Sequence, residues 1–210
     1  MTAARSVALI LCNAAELHEQ TRRVYCMVMP ALRRYTVADL ADLPEDGKRY
    51  ELIRGELVVS LSPSVAHQVV LMRLNDLLGA YLATLALQDT RFVVDADISW
   101  DDQTLVQPDL LVVHPDDLSA SWSTAKRLRL AVEVLSPSSR RRDRVDKREL
   151  YQSHCVETYW VIDIEGAMIE QWRPDDERPA QLFDQLSWRV SPDAPEMTID
   201  VPALFENLPK

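Results

Sequence analysis

Four glycines in 210 residues leave little material for the loops that cradle phosphates, and neither GxGxxG nor GxxxxGK[ST] occurs. The two commonest nucleotide-binding signatures are therefore excluded. Cysteine is equally scarce. Cys12, Cys26 and Cys155 form no CxxC and leave an odd thiol, which argues against a zinc ribbon and a disulfide framework. A reducing, cytoplasmic setting is the expectation. The apolar run Val7 to Cys12 is far too short to span a bilayer and soon meets Glu16, His18, Glu19, Arg22 and Arg23, so no membrane partner is expected. Basic charge is also in the minority, with 23 Lys and Arg against 33 Asp and Glu and a net charge of −10. Proteins that hold nucleic acid by charge alone are usually basic. Here the bases gather locally, between Arg140 and Arg148, which leaves room for one basic face.

Residues 1–29 differ in character from the rest of the chain and carry two later methionines, Met27 and Met29. The expectation is an N-terminal extension, disordered or the product of a misassigned start, ahead of one domain over 30–210. From Tyr35 the pattern is clearer. Thr36 caps a short helix to about Leu43, stopped by Pro44. Arg49 to Ile53 and Glu56 to Leu61, split by Arg54-Gly55, read as a β-hairpin. Ser62-Pro63-Ser64 opens a long helix over about Val65 to Leu87, with Val65, Val69, Met72, Leu78, Tyr81, Leu82 and Leu85 as the buried stripe. Arg91 to Ile98 reads as a strand. Leu110 to Val113 and Arg129 to Leu135 are short, apolar and β-branched, as strands covered on both faces should be. A helix over about Arg140 to Ser153 comes next, then a hairpin of Tyr159 to Ile164 with Met168 to Trp172. Residues 175–210 are Pro- and Asp-rich, with strand-like pieces such as Met197 to Val201. This order predicts an α/β (α+β) class: a mixed sheet flanked by helices.

Glu133 lies inside an apolar run, between Val132 and Val134. An ionised carboxylate there must be paired, neutralised or bound to metal, because desolvation costs roughly several kcal/mol. Asp109, after Pro108 at the head of another strand, is by itself an ordinary turn residue. Together the two are hard oxygen ligands at the ends of strands expected to be neighbours, a donor set suited to Mg²⁺ or Mn²⁺. On the following helix, α-helical spacing puts Arg140, Arg144, Lys147 and Tyr151 on one side. Such a stripe is commonly just a solvated face. Read functionally, one cation meets the acids while the others contact phosphates, and Lys147 is the better candidate because arginine does not readily lose its proton.

PDLLVV, LAVEVLSPSSRRRDRVDKRELY and VETYWVID, with LPEDGKRYELIRGELVV and SPSVAHQ upstream, resemble the Uma-type restriction endonucleases of the PD-(D/E)XK nuclease superfamily. The resemblance runs from about Arg34 to Trp172. It implies a restriction-endonuclease-like core that sets Asp109 and Glu133 around a divalent metal. The superfamily pattern has lysine two residues after the second acid, where this chain has Leu135. Alternation aims Leu135 at the same face as Glu133. A lysine moved to the next helix matches Lys147. Glu51 in YELIRGEL matches the family's upstream acid, and His67 matches its SPxxxH-like segment, although a lone histidine is more often structural. Tyr151 supports Lys147 or belongs to the core.

The resulting expectation is a Mg²⁺- or Mn²⁺-dependent endonuclease acting on DNA. Asp109, Glu133 and the Val134 carbonyl hold the metal, Lys147 orients or helps deprotonate water, and Arg140, Arg141, Arg142 and Arg144 position the DNA backbone. Symmetric cutting of a duplex would favour a homodimer. The competing expectation is a catalytically inactive nucleic-acid-binding or protein-interaction module of the same fold.

Overall fold

The computed structural model describes residues 33–60, 62–87, 90–93, 96–117 and 127–209. The extension expected over 1–29 lies outside them. Thr36 opens α1 (Val37–Leu40), its backbone N–H and hydroxyl donating to Asp39 Oδ2 at 2.7 and 2.8 Å. Strands β1 (Arg49–Ile53) and β2 (Glu56–Ser60) form the expected hairpin, closing at Ile53 opposite Glu56. Arg54 and Gly55 both take positive φ, 50° and 81°, the geometry of a two-residue turn that matches strand twist.

The long helix α2 (Val65–Thr84) starts at Ser64, whose Oγ accepts the N–H of His67 at 3.2 Å. That cap places His67 in the first turn. The buried side of α2 is His67, Val70, Leu71, Leu74, Leu78 and Leu82. The expected stripe is therefore out of phase in its first half, since Val65 and Met72 are 68% and 63% exposed. So many apolar residues crowd this helix that spacing alone does not single out one face.

The strand expected over Arg91 to Ile98 divides into two, β3 (Arg91–Val93) and β4 (Ile98–Asp101), which enter different sheets. Asp97 marks the break, accepting the side-chain amide of Gln107. Next come β5 (Thr104–Val106), β6 (Leu110–Val113) and β7 (Leu128–Val134). A helical segment leads on from β7, wound as a π-helix over Arg142–Lys147 and as α3 over Arg148–Ser153. The chain closes with β8 (Tyr159–Asp163), β9 (Met168–Trp172), β10 (Ala180–Leu182), β11 (Gln185–Trp188), β12 (Met197–Asp200) and α4 (Val201–Phe205).

Six strands form the central sheet in the order β10-β9-β8-β7-β6-β3, with β7 and β8 parallel and the other pairs antiparallel. The parallel pair needs a crossover, and the π/α3 segment supplies it. A smaller sheet runs β2-β1-β5-β4. Alternation along β7 divides the core. Leu130, Val132 and Val134 face α2 together with Leu110, Val112 and Trp160, whereas Ala131 and Leu135 face Ile53, Ile98, Val106 and Tyr151. Covered on both faces, β7 and β8 are apolar almost throughout. Residues beyond 175 do more than their composition suggested. β11 and β12 pair with each other, and Trp188 packs edge-on to Tyr81 and Trp160, at 5.9 and 5.7 Å between ring centroids. Leu186, Ile199 and Leu204 join the same core.

Candidate active site

In the β6–β7 ladder Leu110 pairs with Val132, so one step further Asp109 stands opposite Glu133. Residues directly opposite in an antiparallel pair project to the same face. That face is not the α2 core but a pocket of about 990 Å³, bounded by β1, the approach to β6, the end of β7 and the first turn of α2. The two carboxylates enter it 3% exposed each.

Asp109 is held from three sides. Oδ1 accepts Arg49 Nη1 at 2.9 Å, Oδ2 accepts the Val134 N–H at 2.8 Å, and His67 Nε2 lies 3.4 Å from Oδ2. Burial alone would raise its pKa. His67, Arg49 and the Val134 amide outweigh burial and bring it down to about 2.

Glu133 is held from one side. Its Oε1 accepts Lys147 Nζ at 2.7 Å and the Tyr151 hydroxyl at 3.1 Å. Lys147 Nζ also lies 2.7 Å from Oε1 of Glu51, and that oxygen accepts the backbone N–H of Gln107 at 2.8 Å. Burial pushes the Glu133 carboxyl well above the usual range; Lys147 opposes this, while Asp109, Asp143 and Glu51 add to it. Burial works against a charged Lys147 as well, but Glu133, Glu51 and Asp143 surround it and raise its pKa. One lysine thus serves a cluster of buried acids. Asp143 is itself buried and its carboxyl raised chiefly by burial, and its backbone carbonyl accepts the hydroxyl of Tyr159 at 3.0 Å.

A family model described as "Putative restriction endonuclease", Uma2, matches residues 37–202. The chain belongs to the Uma2 family. Among solved structures it is similar to a putative nuclease of the DUF820 group from Anabaena variabilis, with a TM-score of 0.66 and 18% identity over 81% of this chain and 97% of that one. That likeness establishes a restriction-endonuclease-like fold. The type IIG restriction endonuclease BpuSI matches at a TM-score of 0.35 and 18% identity, over 73% of this chain and 18% of that one. No curated protein matches. No described helix is long and apolar enough to cross a membrane.

On the Uma2 scaffold the structure brings Asp109, Glu133, Lys147, Glu51 and His67 to one pocket, with Tyr151 behind Glu133. Leu135 lies on the Glu133 face, as alternation required, but is packed into the core beside Ile53 and Tyr151. The expected stripe of Arg140, Arg144, Lys147 and Tyr151 divides: Arg140 and Arg144 stay together beside Asp163, while Lys147 and Tyr151 turn to Glu133. Arg144 donates to Asp163 and Glu170 at 2.7 and 2.8 Å, Arg140 pairs with Glu165, and the exposed Arg141 lies 3.4 Å from Asp146. Of the four arginines expected to position DNA, only Arg142 lines the pocket, donating to Ser60 Oγ at 3.1 Å. The division of the stripe follows from the π winding. Turns closed by i→i+5 bonds take more residues than α turns, so Lys147 and Arg144 no longer share a side.

Sequence reasoning missed Arg49, Gln107 and Asp143. A signal for Arg49 was available, because Arg49 and Glu51 are two apart in a strand and must share a face.

The family implies a metal. Among the described residues, no group of three or more His, Cys, Asp or Glu is arranged to hold one. Mg²⁺ commonly takes only one or two carboxylates, with waters and a substrate phosphate completing its shell. Asp109 and Glu133, opposite one another in an open pocket, fit that sparser donor set.

Proposed function

We propose that this Uma2 protein is a Mg²⁺- or Mn²⁺-dependent endonuclease that hydrolyses phosphodiester bonds of DNA in the pocket of Asp109 and Glu133. The observation that carries this reading is the facing of these two acids across the β6–β7 ladder, with Lys147 seated between Glu133 and Glu51. Asp109 and Glu133 would hold the metal. When bound it would polarise the scissile phosphate and make nearby water more acidic.

The chain's own residues set the electrostatics. Lys147 is kept protonated by the acids around it, so it is a poor base. Its part is to hold Glu133 and Glu51 at a fixed separation and to place a permanent positive charge beside the pocket, where charge grows on the phosphate in the transition state. Tyr151 fixes the rotamer of Glu133 through its hydroxyl. Gln107 fixes Glu51 in the same way through a backbone N–H. The net charge of −10 is compatible with a duplex substrate if phosphates are met by cations at the pocket, among them Arg49 and Arg142.

The test is strand scission of plasmid DNA by purified protein in Mg²⁺ or Mn²⁺. Wild type should cut, chelator should stop it, and Glu133→Ala and Asp109→Ala should each lose about a hundredfold or more, the scale on which a lost charge-stabilising contact is felt. Undiminished scission by folded Glu133→Ala would overturn the assignment. Salt-sensitive DNA binding that persists in chelator with no scission by wild type would instead favour the inactive binding module.

A further inference from the structure

Arg49 occupies an unusual position in this pocket. One nitrogen, Nη1, serves both Asp109 Oδ1 at 2.9 Å and the Gln107 carbonyl at 3.2 Å. Among the described residues, Nε and Nη2 make no hydrogen bond, although a guanidinium offers five donors. The side chain is 21% exposed and lines the pocket, so those remaining donors border the space in which a substrate would lie.

The same contact blocks the acid. Oδ1 of Asp109 accepts from Arg49 while Oδ2 faces the Val134 amide and His67, so a metal approaching Asp109 competes with, and is repelled by, a cation already in place. A displaced guanidinium left half-buried and unpaired would be costly. A phosphate in the pocket offers it a partner of the right planarity, since arginine matches phosphate in a two-pronged fashion.

We infer that Arg49 couples substrate to metal: it neutralises Asp109 by itself, and turns its guanidinium to a substrate phosphate when a divalent cation takes over Asp109. The inference rests on the metal-nuclease reading above. Coupling of this kind is reciprocal, so duplex DNA tightens metal binding as much as metal tightens DNA binding. Lys48, which lines the same pocket but pairs with Asp46, has no such part.

The test is Mn²⁺ binding by calorimetry, with and without a short phosphorothioate duplex that resists cleavage. Wild type should bind Mn²⁺ about tenfold tighter with the duplex present, within the usual range of coupling. Arg49→Gln should bind Mn²⁺ about tenfold tighter than wild type without DNA, and the duplex should add clearly less than it adds to wild type. Lys48→Gln, which removes the same charge nearby, should match wild type. Equal tightening by Lys48→Gln and Arg49→Gln would mean that only net charge matters, and would overturn the inference. Should Arg49→Gln fail to fold, Arg49→Lys keeps the charge and loses the fork, and its duplex-linked gain should shrink. An unchanged gain overturns the inference. Mn²⁺ binding lost in Asp109→Asn but untouched by either Arg49 variant sinks the coupling alone. No Mn²⁺ binding by wild type, with or without duplex, removes the metal reading and the coupling together.

Discussion

Lys147, fourteen residues after Glu133, places Nζ 2.7 Å from Glu133 Oε1, both side chains being almost wholly buried. A buried pair of this kind contributes little net stability as a pair, but removing one partner leaves an uncompensated charge. Lys147→Met should therefore cost about 3–5 kcal/mol of unfolding free energy, read from urea melts. Adding Glu133→Gln to Lys147→Met should recover part of that loss, and a double variant no more stable than the single would show that Glu51 is the partner that matters.

The position two residues after Glu133 offers a second test. Leu135 lies on the Glu133 face. Lys147→Leu should abolish scission, and Leu135→Lys placed in that background should restore a measurable fraction of it. Equal inactivity of the two proteins, both folded, would show that a lysine on the strand cannot replace the one on the helix.

Acid should unfold the protein partly through Asp109. Its folded pKa of about 2 lies below its ordinary 3.8. The stability it contributes is thus complete above 3.8 and is lost as pH falls through that value toward 2, an effect of about 2 kcal/mol. Lys147 acts at the other end. Its folded pKa lies above the ordinary 10.5, so its contribution is present below 10.5 and fades as pH rises beyond it. Melting temperature against pH should fall less steeply below 3.8 in Asp109→Asn, and less steeply above 10.5 in Lys147→Met.

The arginines of the helix should divide into two groups. Arg142 lines the pocket, and among the described residues its buried Nε has no hydrogen-bond partner, whereas Arg144 is bound to Asp163 and Glu170. Arg142→Gln should weaken duplex binding and lower the salt slope by about one. Arg144→Gln should leave the slope alone and lower the melting temperature. The opposite pattern would return the DNA contact to the face expected from spacing.

That division shows where the sequence is legible. Asp109 and Glu133 stand out because a carboxylate in or beside an apolar strand demands an explanation, and the two strands pair as their composition required. The Arg54-Gly55 turn is equally readable, since few residues tolerate positive φ. The stripe of Arg140, Arg144, Lys147 and Tyr151 misleads because 3.6-residue spacing does not hold in a π-wound segment, and nothing local announces π winding. Val65 and Met72 mislead because an apolar helix offers several plausible faces. Arg49 escapes notice because its role is set by Asp109, sixty residues away. A link of that range exists only after β1 and β6 have been brought together.

The contact between Lys147 and Glu51 has a consequence in time as well as in space. The two residues lie nearly half the chain apart, and β1, β6 and β7 all leave the ribosome before the helix that carries Lys147. A nascent chain ending near residue 140 would hold Glu51, Asp109 and Glu133 without the lysine that lets them share one pocket. Until the crossover helix arrives, Glu51 and Glu133 lack the lysine charge that offsets their own, whereas Asp109 already has Arg49 and His67 beside it. The acid cluster is thus complete only once the last third of the chain has begun to form, and a half-made chain carries no finished site.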